Sequence, residues 1–152
     1  MLFRSARVAA WTRRLAQPGS RLRVGLSWRG GTRENRGRLR SILPALLGPL
    51  VATPGAVFIS LQRDADERER EIISQGMSSP MMHFASPLSD VDEMAALMSA
   101  LDVVVSVDST VAHLAGALGR PLFVLLARSA EWRWLWQGDT MPWYPSARLY
   151  RQ

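Results

Sequence analysis

The sequence predicts an α/β protein, a parallel sheet with helices on both faces. Two observations carry that prediction. Short β-branched and aliphatic runs alternate with amphipathic stretches along the whole chain. In addition, Leu101–Leu126 (LDVVVSVDSTVAHLAGALGRPLFVLL) reads as strand, polar turn, helix and strand in direct succession, a βαβ crossover. Within it, Val103–Val107 is a short β-branched run that suits a strand buried on both faces. Asp108-Ser109-Thr110 then stops the strand with residue types that favour turns and helix N-caps. Val111, Leu114, Ala115 and Leu118 recur at helical spacing, Gly119-Arg120-Pro121 ends the helix, and Leu122–Leu126 is a second buried strand.

The other elements follow in chain order. Phe3, Val8, Trp11 and Leu15 share one face of a first helix, closed by Gln17-Pro18-Gly19-Ser20. Residues 1–20 therefore read as a lead-in helix and linker, and 21–152 as the domain. Leu22–Trp28 is the first strand. Arg29–Arg40 is a polar loop holding three glycines and five arginines. Ser41–Pro44 starts a helix with Leu46, Leu47 and Leu50 beneath it, and Thr53-Pro54-Gly55 turns the chain into a strand, Val57–Leu61, that ends at Gln62. Asp64–Ile73 is a charged helix whose alternating acids and arginines suit a solvated face. Met81–Phe84 is a short strand in which His83 has a structural role. Ser89 caps a helix through Ala100, with Glu93 completing a loose capping box and Val91, Met94, Leu97, Met98 and Leu101 on its apolar face. Trp132, Trp134 and Trp136 do not form a clean stripe; covering a sheet edge and filling a groove both remain open for them. Met141–Pro145 is an extended loop, and Ala147–Tyr150 the last strand.

Composition narrows the function classes. A chain of 152 residues with 47% hydrophobic content suits one domain with a true core. The absence of cysteine excludes a disulfide scaffold and a thiolate metal site. No apolar run approaches the roughly 18 residues of a membrane span, and Arg4 and Arg7 interrupt any signal-peptide core. The expected location is cytoplasmic. The net charge of +6 is uneven: residues 1–40 hold eleven arginines against one acid, residues 41–152 eight arginines against twelve acids. Such a basic first third suits a phosphate-bearing small molecule, an acidic neighbouring domain or nucleic acid. The chain has no aromatic-interleaved basic stripe and no zinc-finger spacing, so nucleic acid is not expected.

Ligands of parallel sheets bind beyond the carboxyl ends of the strands. Asp108, Ser109 and Thr110 fall at that edge, with His113 one helical turn further on. The free N–H groups and positive dipole end of their helix suit a phosphate. In the 29–40 loop, Gly30-Gly31 frees the backbone and the arginines offer forked donors to phosphate or carboxylate.

With VGLSWRG, RLRSI, FISLQ, LDVVVSVDSTVAHLAGALGRP, EWRWLW and PWYPSARLYRQ in this order, the chain resembles a known group. It is similar to the C-terminal, nucleotide-sugar-binding domain of bacterial glycosyltransferases that follow tetratricopeptide repeats. These are related to the heptosyltransferase family, glycosyltransferase family 9. The resemblance implies a Rossmann-like domain, the C-terminal half of a GT-B fold. It also implies that the nucleotide-diphosphate-sugar is bound as substrate, with no cofactor and no metal. Asp108, Ser109 and Thr110, with His113 behind them, match the loop that holds the diphosphate. Ser27, Trp28, Arg29 and Gly30 match the first loop that approaches it. Arg38 or Arg40 falls near a basic residue that neutralises the leaving group, and Gln62 ends the strand that contacts the nucleoside. Transfer to an acceptor hydroxyl, inverting at the sugar, would need a general base from the family's other half. These 152 residues hold neither that half nor the repeats. The expectation is therefore a fragment of a larger enzyme with that half as its partner, or else a non-catalytic nucleotide-binding or remnant structural module.

Overall fold

A computed structural model describes residues 2–19, 21–31, 37–77, 80–84, 89–128 and 130–152, with residues 2–4 by backbone alone. The Phe3 side chain, Ser20, the middle of the polar loop (32–36) and Ser129 lie outside the described residues. Six strands, β1 (Leu22–Ser27), β2 (Ala56–Ser60), β3 (Met82–His83), β4 (Val103–Val107), β5 (Leu122–Leu126) and β6 (Ala147–Arg151), form one sheet. Every pairing is parallel, in the order β3-β2-β1-β4-β5-β6. Order reverses between β1 and β4, where Val24 to Ser27 register with Val103 to Ser106. Such a reversal opens a crevice at the carboxyl edge because the crossovers on its two sides leave in opposite directions.

Helices cover the sheet in two layers. On one face α1 (Leu2–Arg14), α4 (Val91–Ser99) and α5 (Thr110–Ala117) pack over Val57, Ile59, Val104, Leu122, Val124 and Leu149. Trp11 and Leu15 of the lead-in segment enter this core, and the Trp11 indole N–H donates to Glu93 Oε2 at 3.0 Å. On the other face Leu47, Val51 of α2 (Gly48–Val51) and Ile73 of α3 (Glu67–Ser74) meet Val24, Leu26, Trp28 and Phe58. That second layer stops short of the far edge, where Phe123 and Tyr150 pack edge to face and reach solvent. No helix among the described residues is long and apolar enough to cross a membrane.

Three local expectations are corrected. Asp90, not Ser89, caps α4: its carboxylate accepts from the N–H groups of Asp92 and Glu93, a stronger charge-assisted cap than a hydroxyl gives. Val91, next to that cap, is 69% exposed, because the apolar stripe of α4 runs through Ala95 to Met98. The segment after Ile42 forms a 3-10 turn, Pro44–Leu47, before α2; this rotation buries Leu47 and leaves Leu46 exposed.

Candidate functional site

At the β1/β4 reversal the described residues that follow β1 lie against the end of β4. Ser27 and Trp28 are buried, and Trp28 packs its ring into the second-face core. Gln62, just past β2, holds this strand end: its Oε1 accepts from the Ser27 hydroxyl and from the Trp28 and Arg29 N–H groups, at 3.1, 3.2 and 2.9 Å. Its amide donates to Asp64 at 2.7 Å. The Arg29 guanidinium lies against the start of α3, within 3.2 Å of both Asp64 and Glu69. Gly30 then touches β4. A Cβ there would stand 2.2 Å from the Asp108 carbonyl oxygen, so only glycine allows this approach.

From Gly30 the chain returns through a 3-10 turn, Gly37–Arg40, tied by Ser41, whose hydroxyl donates to Gly37 O at 2.7 Å. This turn presents Arg40 to the end of β4. Arg40 donates to the buried Asp108 carboxylate at 3.2 Å and to Glu131 Oε1 at 3.0 Å. Arg133 grips the other oxygen of Glu131. Loops after β1, β4 and β5 thus meet in one cluster, which among the described residues holds the guanidiniums of Arg40 and Arg133 and the carboxylates of Asp108 and Glu131. Arg38, two residues away, is exposed.

The N-terminus of α5 opens beside this cluster. Ser109 is its N-cap residue, yet its side chain does not cap the helix. The Ser106 hydroxyl donates its one proton to Val107 O at 2.8 Å. The 3.0 Å contact between Ser106 and Ser109 must therefore be a donation by Ser109. The first-turn N–H groups of α5 stay without a side-chain cap from Ser109, and Thr110 is exposed. One turn on, His113 stacks on Trp134 at 5.0 Å between ring centroids, and its Nδ1 lies 3.1 Å from the Tyr144 hydroxyl. Burial holds its pKa below the ordinary 6.5; Asp108 and Glu131 pull it up and Arg133 pulls it down. Tyr144 comes this close because Gly116 has no Cβ, which would sit 2.3 Å from its ring.

The structure thus brings together Gly30, Arg40, Asp108, Ser109, Thr110 and His113. It puts Ser27, Trp28 and Gln62 in the support beneath them, turns Arg29 to the start of α3 and leaves Arg38 exposed. Glu131, Arg133, Trp134 and Tyr144 are the members that sequence reasoning missed. Their signal lay in EWRWLW and PWYPSARLY, where an acid and an arginine flank the tryptophans of the loop leaving β5. A cavity of about 240 Å³ adjoins the cluster, lined by Arg40, Ser41, Ile42, Val107, Ala127 and Tyr150 among others. A larger, shallower depression of about 660 Å³ lies along α1 and α4 and contains none of the candidate residues.

The fold matches that of two solved enzymes. Against the ADP-heptose lipopolysaccharide heptosyltransferase II of E. coli the TM-score is 0.65 at 18% identity, covering 95% of this chain and 43% of that one. Against a family 9 glycosyltransferase from Veillonella parvula it is 0.66 at 12% identity, covering 100% and 41%. The domain is therefore Rossmann-like and matches part of a GT-B enzyme. Protein FlbA of Caulobacter vibrioides is 35% identical over 149 residues, 95% of this chain; the chain spans 24% of that protein's length. The model of glycosyltransferase family 9 (heptosyltransferase) matches residues 51–151, from α2 to the last strand, and the chain belongs to that family.

Proposed function

We propose that this chain is the donor half of a GT-B glycosyltransferase, binding a nucleotide-diphosphate-sugar over the β1/β4 crevice for transfer to an acceptor hydroxyl. One observation carries the reading: the β1 loop is folded onto the end of β4, with Gly30 against Asp108 and Arg40 reaching across beside the N-terminus of α5. In the transfer, the acceptor oxygen forms a bond to the anomeric carbon while the bond from that carbon to the diphosphate oxygen breaks. The electron pair leaves on the diphosphate, and the acceptor's proton passes to a base outside this domain. Guanidiniums and helix N–H groups already fixed near the phosphates stabilise that charge without reorganising. Here Arg40, with Arg133 beside it, and the first turn of α5 supply them, Gln62 holds the β1 loop in place, and the His113–Tyr144 pair flanks the sugar side.

The cavity of about 240 Å³ meets the proposed site at Arg40 and extends from there along the ends of β5 and β6. Turnover then requires an acceptor-binding half carrying the base. The EWRWLW and PWYPSARLYRQ motifs extend the proposal to an enzyme that works behind tetratricopeptide repeats. A second reading, a non-catalytic nucleotide-binding module, is favoured by one fact: Arg29, Arg40 and Arg133 each already hold a carboxylate of this chain.

Thermal-shift measurements with UDP, GDP, ADP and CDP test the proposal. A nucleotide at about 100 times its Kd should add roughly 2.7 kcal/mol of stability. Arg40→Ala and His113→Ala should each reduce the shift, and the one stabilising nucleotide names the base. No shift from any of the four with the protein folded would overturn the donor reading. Binding without sugar transfer, once an acceptor half is supplied, would select the non-catalytic module.

A further inference from the structure

We infer that Glu131 is a built-in anion that occupies the diphosphate position between Arg40 and Arg133 and is displaced when the donor binds. The inference rests on the donor-site reading and adds a competitor within it.

The geometry of Glu131 is that of a bound ligand rather than of a helix cap. It precedes the 3-10 turn Trp132–Trp134 in extended conformation, and its side chain makes no cap hydrogen bond to that turn. Each carboxylate oxygen goes instead to a different guanidinium, Oε1 to Arg40 and Oε2 to Arg133. Arginine forks hold phosphate and carboxylate in the same planar manner, so a diphosphate oxygen pair can replace this carboxylate donor for donor. Phosphate also carries more charge and more acceptor oxygens than a carboxylate.

Burial decides which carboxylate yields. Asp108 is 6% exposed and Glu131 35% exposed, while the Arg40 side chain between them is 15% exposed. Moving Glu131 aside returns a charge to water, whereas moving Asp108 would strand one in the sheet. Asp108 therefore keeps Arg40 aimed at the site, and Glu131 occupies Arg40 and Arg133 until a more highly charged anion arrives. Glu131 thereby makes the site selective for diphosphates: a singly charged anion gains little by replacing it.

The test is calorimetric titration of the full chain with inorganic pyrophosphate, with acetate, and with each of UDP, GDP, ADP and CDP. Glu131→Gln keeps size and removes the charge; it should bind pyrophosphate and nucleotide about tenfold more tightly than the wild type, from the loss of one competing charge-assisted pair. It should also begin to bind acetate. Glu131→Asp, whose carboxylate is shorter but still charged, should fall between the two and serves if Glu131→Gln melts early. Weaker or unchanged pyrophosphate binding in Glu131→Gln, while Arg40→Ala still abolishes it, overturns the inference and leaves the donor site standing. If neither pyrophosphate nor nucleotide binds any variant, the donor-site reading fails and the inference with it.

Discussion

A methyl group added at Gly30 would meet two backbone oxygens, that of Asp108 at 2.2 Å and that of Arg40 at 3.2 Å. Neither can swing aside as a side chain would, so the loop itself must lift from β4. Gly30→Ala is expected to cost about 3 kcal/mol in urea denaturation, the upper part of the overpacking range, and to lose nucleotide binding. A cost below about 0.5 kcal/mol would mean that the loop relaxes freely. The histidines give a second prediction at this scale. Burial lowers both His113 and His83 below the ordinary 6.5, with Arg70 adding to the effect at His83. As pH falls through that ordinary value, the unfolded chain takes up protons before the folded one. The stability the neutral rings contribute is fully present above it and lost below, towards the folded values. Denaturation midpoints should therefore fall between about pH 7.5 and pH 5.5, and His113→Gln should make that fall shallower. An unchanged slope would mean that His113 titrates alike in both states.

At the scale of elements, α3 is placed by its first turn. Asp66 accepts from the Glu69 N–H at 2.7 Å, and the Glu69 carboxylate accepts from the Asp66 N–H in return, a complete capping box. Glu69 also pairs with Arg29, so the cap of α3 steadies the loop leaving β1. Asp66→Ala should cost about 1 kcal/mol of stability, and should weaken nucleotide binding less than any change at Arg40. An equal loss of binding would make the α3 end part of the site. A similar economy joins β1 and β4 at their amino ends. Asp102 accepts from the Arg23 N–H at 2.8 Å and from its guanidinium at 3.0 and 2.7 Å. Those hydrogen bonds from Arg23 hold the Asp102 carboxyl below its ordinary 3.8. The two strands that frame the crevice are thus pinned at the end away from it, in addition to their ladder.

For the molecule as a whole, strand order decides where the proposed site sits. β1 and β4 are neighbours although β2, β3 and the helices α2, α3 and α4 intervene in sequence, so their carboxyl ends face one crevice. The β5 loop reaches the same place because β5 pairs with β4 on the far side. A ligand held there binds three loops from distant parts of the chain, and its binding energy appears as stability of the whole fold. That linkage is why thermal shift reads the site directly, and why a nucleotide that raised stability without dependence on Arg40 would have to bind elsewhere.

Much of this was legible in the sequence because it depends on local chemistry. Alternation of apolar runs and amphipathic segments set the six strands and the parallel sheet, and Asp108-Ser109-Thr110 marked a strand end followed by a helix N-terminus. These are properties of short windows, which hydrophobic burial and backbone preference decide on the spot. The motif series also pointed to family 9, which residues 51–151 match. What the sequence left open is how distant loops share charge. Arg40 and Glu131 lie 91 positions apart, and only the β1-β4-β5 pairing puts them in contact. Trp28, Trp134 and Trp136 are alike as residues, yet two are buried and Trp136 is 84% exposed, according to which face of the sheet or loop they meet. Local sequence determined which elements form; tertiary packing alone decided which side chains those elements bring together, because ion pairs and ring contacts depend on distance in space rather than along the chain.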